Sequence, residues 1–191
     1  MANLSVGQRV LTVDSDGRLR HDDVIAFVHR QPQLVTSFGV IATAAGHRLV
    51  ATADHLIFTS PDQSASFSDA ALPRFVAHLQ PGNDSVYVAA SGSKHLAVSM
   101  VTSVAMVRGR GVYAPVTSGG TIVVDGVAAS CYALVSSHRL AHWSMAPLRI
   151  AAAAGACCHD NHLADGVHWY ARLLQRLTQF LIPHSDFWFT S

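Results

Sequence analysis

Thr43-Ala44-Ala45-Gly46-His47-Arg48-Leu49-Val50-Ala51-Thr52-Ala53-Asp54-His55-Leu56-Ile57-Phe58 decides the fold, because its opening returns as Thr117-Ser118-Gly119-Gly120-Thr121-Ile122-Val123-Val124. In both places a threonine leads a small-residue turn ending in glycine, and an apolar run follows. Almost the same spacing separates Leu4, Gly7, Val10 and Val13 from Leu79, Gly82, Val86 and Val88. Two landmarks in register over that distance indicate a duplication. A solenoid would need more copies, so the pattern predicts two half-domains closing on each other.

The segments around these landmarks read as strands. Val10-Val13, Val24-Val28, Phe38-Thr43, Arg48-Ala51, Leu56-Phe58, Val86-Ala89, Met100-Val107, Val112-Val116, Thr121-Val124 and Ser130-Val135 are short and rich in β-branched residues. Turns such as Ser15-Asp16-Gly17 separate several of them, and residues 60 to 73, rich in Ser, Ala, Asp and Pro, read as a connecting loop. The class is mainly β. After about residue 138 an alanine-rich run and a polar break at His159-Asp160-Asn161-His162 lead to a segment of helical period. There Trp169, Leu173, Leu177 and Phe180 make an apolar face opposite Arg172, Gln175 and Arg176. Neither apolar run reaches the roughly twenty residues of a membrane span. That face predicts either a helix packed on the β module or a contact with a membrane surface through residues 139 to 191.

Composition narrows the function. The chain has 191 residues, enough for one domain with a real core plus an appendage, and is 50% apolar and 13% charged. A formal net charge of +1 without a basic cluster argues against nucleic acid as a partner. The 12 histidines are scattered, with no helical zinc spacing and no Cys-x-x-Cys companion. Three cysteines, Cys131, Cys157 and Cys158, leave an odd thiol. Asn3-Leu4-Ser5 and Asn83-Asp84-Ser85 are glycosylation sequons, and they point toward the secretory route. Met1-Ala2-Asn3 runs straight into the first strand pattern without a leader, so that route implies a longer precursor.

Thr52-Ala53-Asp54-His55 at a strand end, Gly111-Val112-Tyr113-Ala114-Pro115-Val116-Thr117, and Val127-Ala128-Ala129-Ser130-Cys131-Tyr132 occur in this order. With Leu140-Ala141-His142-Trp143, Ala146-Pro147-Leu148-Arg149 and Gly166-Val167-His168-Trp169-Tyr170, they make a chain that resembles the C-terminal autoprocessing domain of hedgehog proteins, of invertebrate type. The resemblance covers nearly the whole chain. It implies the Hint (hedgehog/intein) fold, a pseudo-twofold, duplicated all-β disc over residues 1–138. A partly helical, sterol-addressing tail would follow over 139–191.

The resemblance also implies a two-step reaction. A cysteine at the module's first position attacks the preceding peptide carbonyl to form an internal thioester, and a cholesterol hydroxyl then releases a sterol-esterified signalling fragment. Such chemistry needs a polarised amide and a proton donor for the leaving nitrogen. Thr52 and His55 match the family's pair for that task, a positioning hydroxyl and an imidazole. Cys131 matches the cysteine that sits near the centre and pairs with the nucleophilic thiol; read alone it is equally a buried small hydrophobe. No cofactor is implied, cholesterol or another sterol being the second substrate. The expected partners are that sterol and the preceding signalling domain. Processing is expected in the endoplasmic reticulum lumen, followed by secretion.

Two departures from the family pattern stand out. The family opens with a Cys-Phe-type segment upstream of the Leu4-Gly7-Val10 pattern, so the resemblance places the nucleophile before Met1. At Phe27-Val28-His29-Arg30 the family carries an aspartate, its candidate base for the sterol hydroxyl, where this chain has His29. An imidazole, with an ordinary pKa of roughly 6.5, could serve as that base. Other readings are a splicing intein, which would need a terminal His-Asn, and a Cys131–His55 thiol hydrolase, which would need an oxyanion loop. A module without activity, kept as an interaction or lipid-contact unit, is the remaining one.

Overall fold

The computed structural model describes residues 1–62, 66–67, 71–132, 145–153 and 166–167. The strands are β1 (Arg9–Val13), β2 (Leu19–Thr43), β3 (Arg48–Thr52), β4 (Leu56–Ser60), β5 (Leu72–Phe75), β6 (Ser85–Ala89), β7 (Leu96–Thr117), β8 (Thr121–Val124), β9 (Val127–Ser130) and β10 (Gly166–Val167). A 3-10 turn (Val76–His78) follows β5, and α1 (Ala146–Ala153) lies between β9 and β10.

The predicted duplication is visible in the strand order. β1 to β4 and β6 to β9 are two copies of one short-long-short-short unit. Their long strands, β2 and β7, pair antiparallel from Val24 opposite Thr117 to Thr43 opposite Val101. Near the middle Val35 faces Arg110, and these residues hold equivalent places in the two repeats, so the local twofold passes between them. The copies also interlock, because β4 of the first pairs with both β6 and β9 of the second. The recurrent turn explains its glycine: Gly46 and Gly120 adopt φ of 86° and 72°, a region costly for any residue with a Cβ. Thr43 and Thr117, which lead these turns, are both buried, and each bonds across the turn to the residue four positions on.

Several sequence boundaries shift. Val24–Val28 and Phe38–Thr43 belong to one 25-residue strand, and Met100–Val107 and Val112–Val116 to one of 22. Pro32, Gly109 and Gly111 look like breaks in the sequence, yet the register shift between Gln31 and Val35 absorbs Pro32 and Gly111 as a bulge, and Gly109 keeps regular register opposite Thr36. Arg48–Ala51 and Leu56–Phe58 are separate strands as expected, since Ala53-Asp54-His55 turns the chain and the His55 amide donates to the Thr52 carbonyl at 3.0 Å. Within the expected loop, Leu72 and Pro73 open a strand that pairs with β4. Of the strand expected at Ser130–Val135, the described part has only Ser130 in a strand, as the last residue of Val127–Ser130, which is entered through the hairpin turn Asp125-Gly126, where both residues have positive φ. Residues 133–135, the expected boundary at 138, Cys157, Cys158 and the 168–182 segment lie outside the described residues.

The core lies between the two copies. Ile41, Ile57, Val86, Val101, Val116 and Val127 are 0% exposed, and each such side chain contributes about 1.5–3 kcal/mol by its burial. Cys131, Tyr132 and Met145, just ahead of α1, belong to the same cluster. The chain leaving β9 and the start of α1 are thus anchored on the module. No helix among the described residues is long and apolar enough to cross a membrane.

Candidate active site

The core carries the site on its polar seam. β3 ends at Thr52 and β4 starts at Leu56, so Thr52 and His55 flank one tight turn. Thr52 stands opposite Phe38 on β2, half-buried, and its hydroxyl has no hydrogen-bond partner among the described residues. Two backbone bonds tie the turn to the 3-10 segment, Val76 N–H to the His55 carbonyl and Ala77 N–H to the Ala53 carbonyl, both 3.0 Å.

β4 also brings His55 to the second strand of interest. Ile57 pairs with Ala129 of β9, and the His55 imidazole hydrogen-bonds the backbone of Ser130. Loss of hydration around the ring pushes its pKa down to about 4, against the opposing pull of that bond. At neutral pH His55 is therefore an uncharged imidazole, ready to accept a proton. Ser130 is fully buried, and its hydroxyl accepts from Tyr132 N–H at 3.0 Å.

Cys131 is a free thiol, 2% exposed. Its Sγ lies 3.7 Å from Thr117 Oγ1, and its amide donates to the Gly120 carbonyl at 2.9 Å. Burial pushes the thiol up to about 11; hydrogen bonds from Thr117 oppose this, and the charge of Asp22 adds to it. A thiol held protonated at pH 7 is a poor nucleophile. Burial at 2% exposure keeps Cys131 from an external substrate, which disfavours a Cys131–His55 hydrolase. Iodoacetamide at pH 7 should alkylate native Cys131 at least ~100-fold more slowly than the same thiol in unfolded chain. Equal rates, followed by mass spectrometry, would contradict this environment.

His29 is placed by a different pair of strands. It lies on β2 opposite Ala114 of β7 and Val167 of β10, and its Nε2 is 3.0 Å from Gln31 Oε1. No strand pairing or hydrogen bond among the described residues links it to Thr52, His55 or Cys131. Sequence reading missed Thr117, although this residue opens the second copy of the repeated turn. It also missed Asp22, whose partners lie far along the chain. The Asp22 carboxylate receives the Ser118 hydroxyl at 2.6 Å and Gly119 N–H at 3.0 Å, which pins the turn beside Cys131.

A duplicated β disc carrying a Thr-x-x-His turn against a buried Ser-Cys strand end has known counterparts. The chain is 40% identical over 188 residues to the Indian hedgehog protein of Gallus gallus, which covers 96% of this chain and 44% of that protein. Protein hedgehog of Drosophila melanogaster is 32% identical over 198 residues, 97% of this chain and 41% of that protein. The chain therefore spans less than half the length of these curated relatives. Among solved structures, the transcription factor IIB Mvu mini-intein aligns with a TM-score of 0.51 at 16% identity, over 66% of this chain and 74% of that one. A DnaB intein from Synechocystis aligns with a TM-score of 0.51 at 10% identity, over 66% and 79%. At such identity these two show the fold alone, and the fold is the duplicated disc read from the sequence. The model of the Hint module matches residues 1–183, and the chain belongs to that family.

Proposed function

We propose that the chain is the autoprocessing module of a hedgehog-type precursor, which cleaves the peptide bond ahead of the module through an internal thioester and transfers the released fragment to a sterol. The observation that carries this reading is the Thr52–His55 turn, which β4 brings against β9 where that strand ends at Ser130 and Cys131, in a chain of the Hint family. His55 takes the proton of a cysteine thiol supplied from the preceding segment. Its conjugate acid, strongly acidic in this dry setting, then protonates the leaving amide nitrogen as the C–N bond breaks and the C–S bond stands. The free, half-buried Thr52 hydroxyl bonds the scissile amide and orients it. Cys131 pairs with the nucleophilic thiol in an oxidising compartment and is not itself the attacking group.

The remaining assignments follow from the same reading. Residues 1–138 form the catalytic module and 139–191 the sterol-addressing region, which also meets the membrane surface. The reaction uses no cofactor; cholesterol or a related sterol is the second substrate. The covalent partner is a preceding signalling domain, and the route is the secretory pathway through the endoplasmic reticulum lumen. His29 acts as base toward the sterol hydroxyl, and the Gln31 contact orients its ring. A precursor with a cysteine-led segment and a reporter ahead of Met1 tests the whole. It should release reporter bearing a sterol ester, and only when sterol is present. His29→Asp should retain sterol transfer, whereas His29→Ala should lose it about 10²-fold while still cleaving with dithiothreitol. Equal sterol-dependent rates in all three would remove His29 from the reaction.

A further inference from the structure

The carboxylate of Asp22 has a role the reaction scheme does not use. It sits on β2 opposite Val10, with its side chain 16% exposed. Both of its oxygens lie 2.6 Å from the Ser118 hydroxyl, and one accepts Gly119 N–H at 3.0 Å. The Arg20 guanidinium approaches only to 4.0 Å and is itself half exposed, so it is a weak companion. Gly119 is shaped for the contact: a Cβ there would come 3.2 Å from the Arg20 guanidinium and 3.5 Å from the Asp22 carboxylate.

What it grips is the turn that holds the centre. Gly120, the next residue, gives its carbonyl to the Cys131 amide at 2.9 Å. Thr117, which opens the turn, donates to the Thr121 carbonyl at 2.8 Å and sets its oxygen 3.7 Å from the Cys131 Sγ. Thr121 in turn bonds Val13 of β1 through its hydroxyl, donating to the carbonyl at 2.7 Å. The Ser130–Cys131 segment so held is the one whose backbone bonds the His55 imidazole. The equivalent turn of the first copy, at Thr43–Gly46, has no carboxylate clamp among the described residues; there the Ser99 hydroxyl accepts from Ala45 N–H. The duplicated turn carries the charged clamp in the copy that faces the centre.

We infer that Asp22 is a positioning residue for the acyl-transfer centre, its carboxylate fixing the Ser118–Gly119 turn and, through Gly120 and Thr117, the Ser130–Cys131 segment against which His55 works. This inference rests on the proposed assignment of His55, and the test separates the two. In the reporter precursor, Asp22→Asn should slow dithiothreitol-driven cleavage at neutral pH about tenfold. In the same protein, amide hydrogen exchange at Gly119 and Cys131 should accelerate at least tenfold, with exchange at Ile41 and Val101 unchanged. Ser118→Ala should repeat both effects, and Ser118→Thr, which keeps the hydroxyl, should restore them toward the parent. Arg20→Gln should leave both near parent values. Unchanged cleavage in Asp22→Asn, or slower cleavage with exchange raised equally at all four amides, overturns the positioning role. If His55→Ala cleaves like the parent, the assignment of His55 falls. If His55→Ala is dead while Asp22→Asn is unaffected, only the inference about Asp22 falls.

Discussion

His55→Ala in the reporter precursor is expected to reduce thioester formation by about 10²–10⁴-fold, the range general acid–base assistance supplies. The effect should fall on the rate of the step and leave the fold intact, because a neutral, partly buried imidazole bonded to the Ser130 backbone carries no charge that packing must neutralise. Thr52→Ala should cost less, about tenfold to 10²-fold, since a hydroxyl that orients an amide moves no proton. Thr52→Ser should keep most of the rate. Single-turnover cleavage by dithiothreitol, which intercepts the thioester independently of sterol, reads both substitutions. A His55→Ala variant with parental rates would show that the imidazole assists nothing.

The second large effect concerns acid. His55 has an ordinary value of 6.5 when unfolded and about 4 when folded, so on acidification the unfolded chain takes up a proton before the native one does. Stability is therefore lost as pH falls from about 6.5 to 4, and the contribution levels off below that. The shift corresponds to ~3 kcal/mol at most, at about 1.36 kcal/mol for each pKa unit. Urea midpoints measured between pH 7 and 4 should fall steeply in the parent. They should fall less steeply in His55→Gln, where the titrating group is gone and a polar side chain of similar reach remains. Parallel curves for the two proteins would mean that His55 is protonated as easily folded as unfolded. The same linkage predicts that thioester chemistry weakens only toward pH 4, because the imidazole stays neutral, and so able to accept the thiol proton, throughout the secretory range.

The duplication was legible because its marks are local. A turn that needs positive φ at Gly46 and Gly120 leaves a glycine, and strands buried against the twofold axis leave apolar runs on either side. That Thr52 and His55 flank one tight turn was legible for a similar reason, whereas their role came only from the family resemblance. The long strands were hidden because Pro32, Gly109 and Gly111 read as breaks, whereas the pairing takes up Pro32 and Gly111 in one bulge and keeps Gly109 in register. Asp22 was hidden for the opposite reason. In His21-Asp22-Asp23 it looks like any solvated hairpin charge, and its meaning comes from Ser118 and Gly119, which only the closed disc brings to it. His29 shows what a motif cannot give: its place in the family pattern is clear, but its hydrogen-bond partner Gln31 and its cross-strand partners Ala114 and Val167 come from the fold.

The most direct test of the whole account is the mass of the fragment released when a cysteine-led reporter precedes Met1 and the precursor is incubated with cholesterol in detergent at neutral pH. The account predicts a reporter heavier by one esterified sterol, a free chain beginning at the cysteine, and loss of both products in His55→Ala. An intact precursor under these conditions and with dithiothreitol, with the disc still folded, would contradict it.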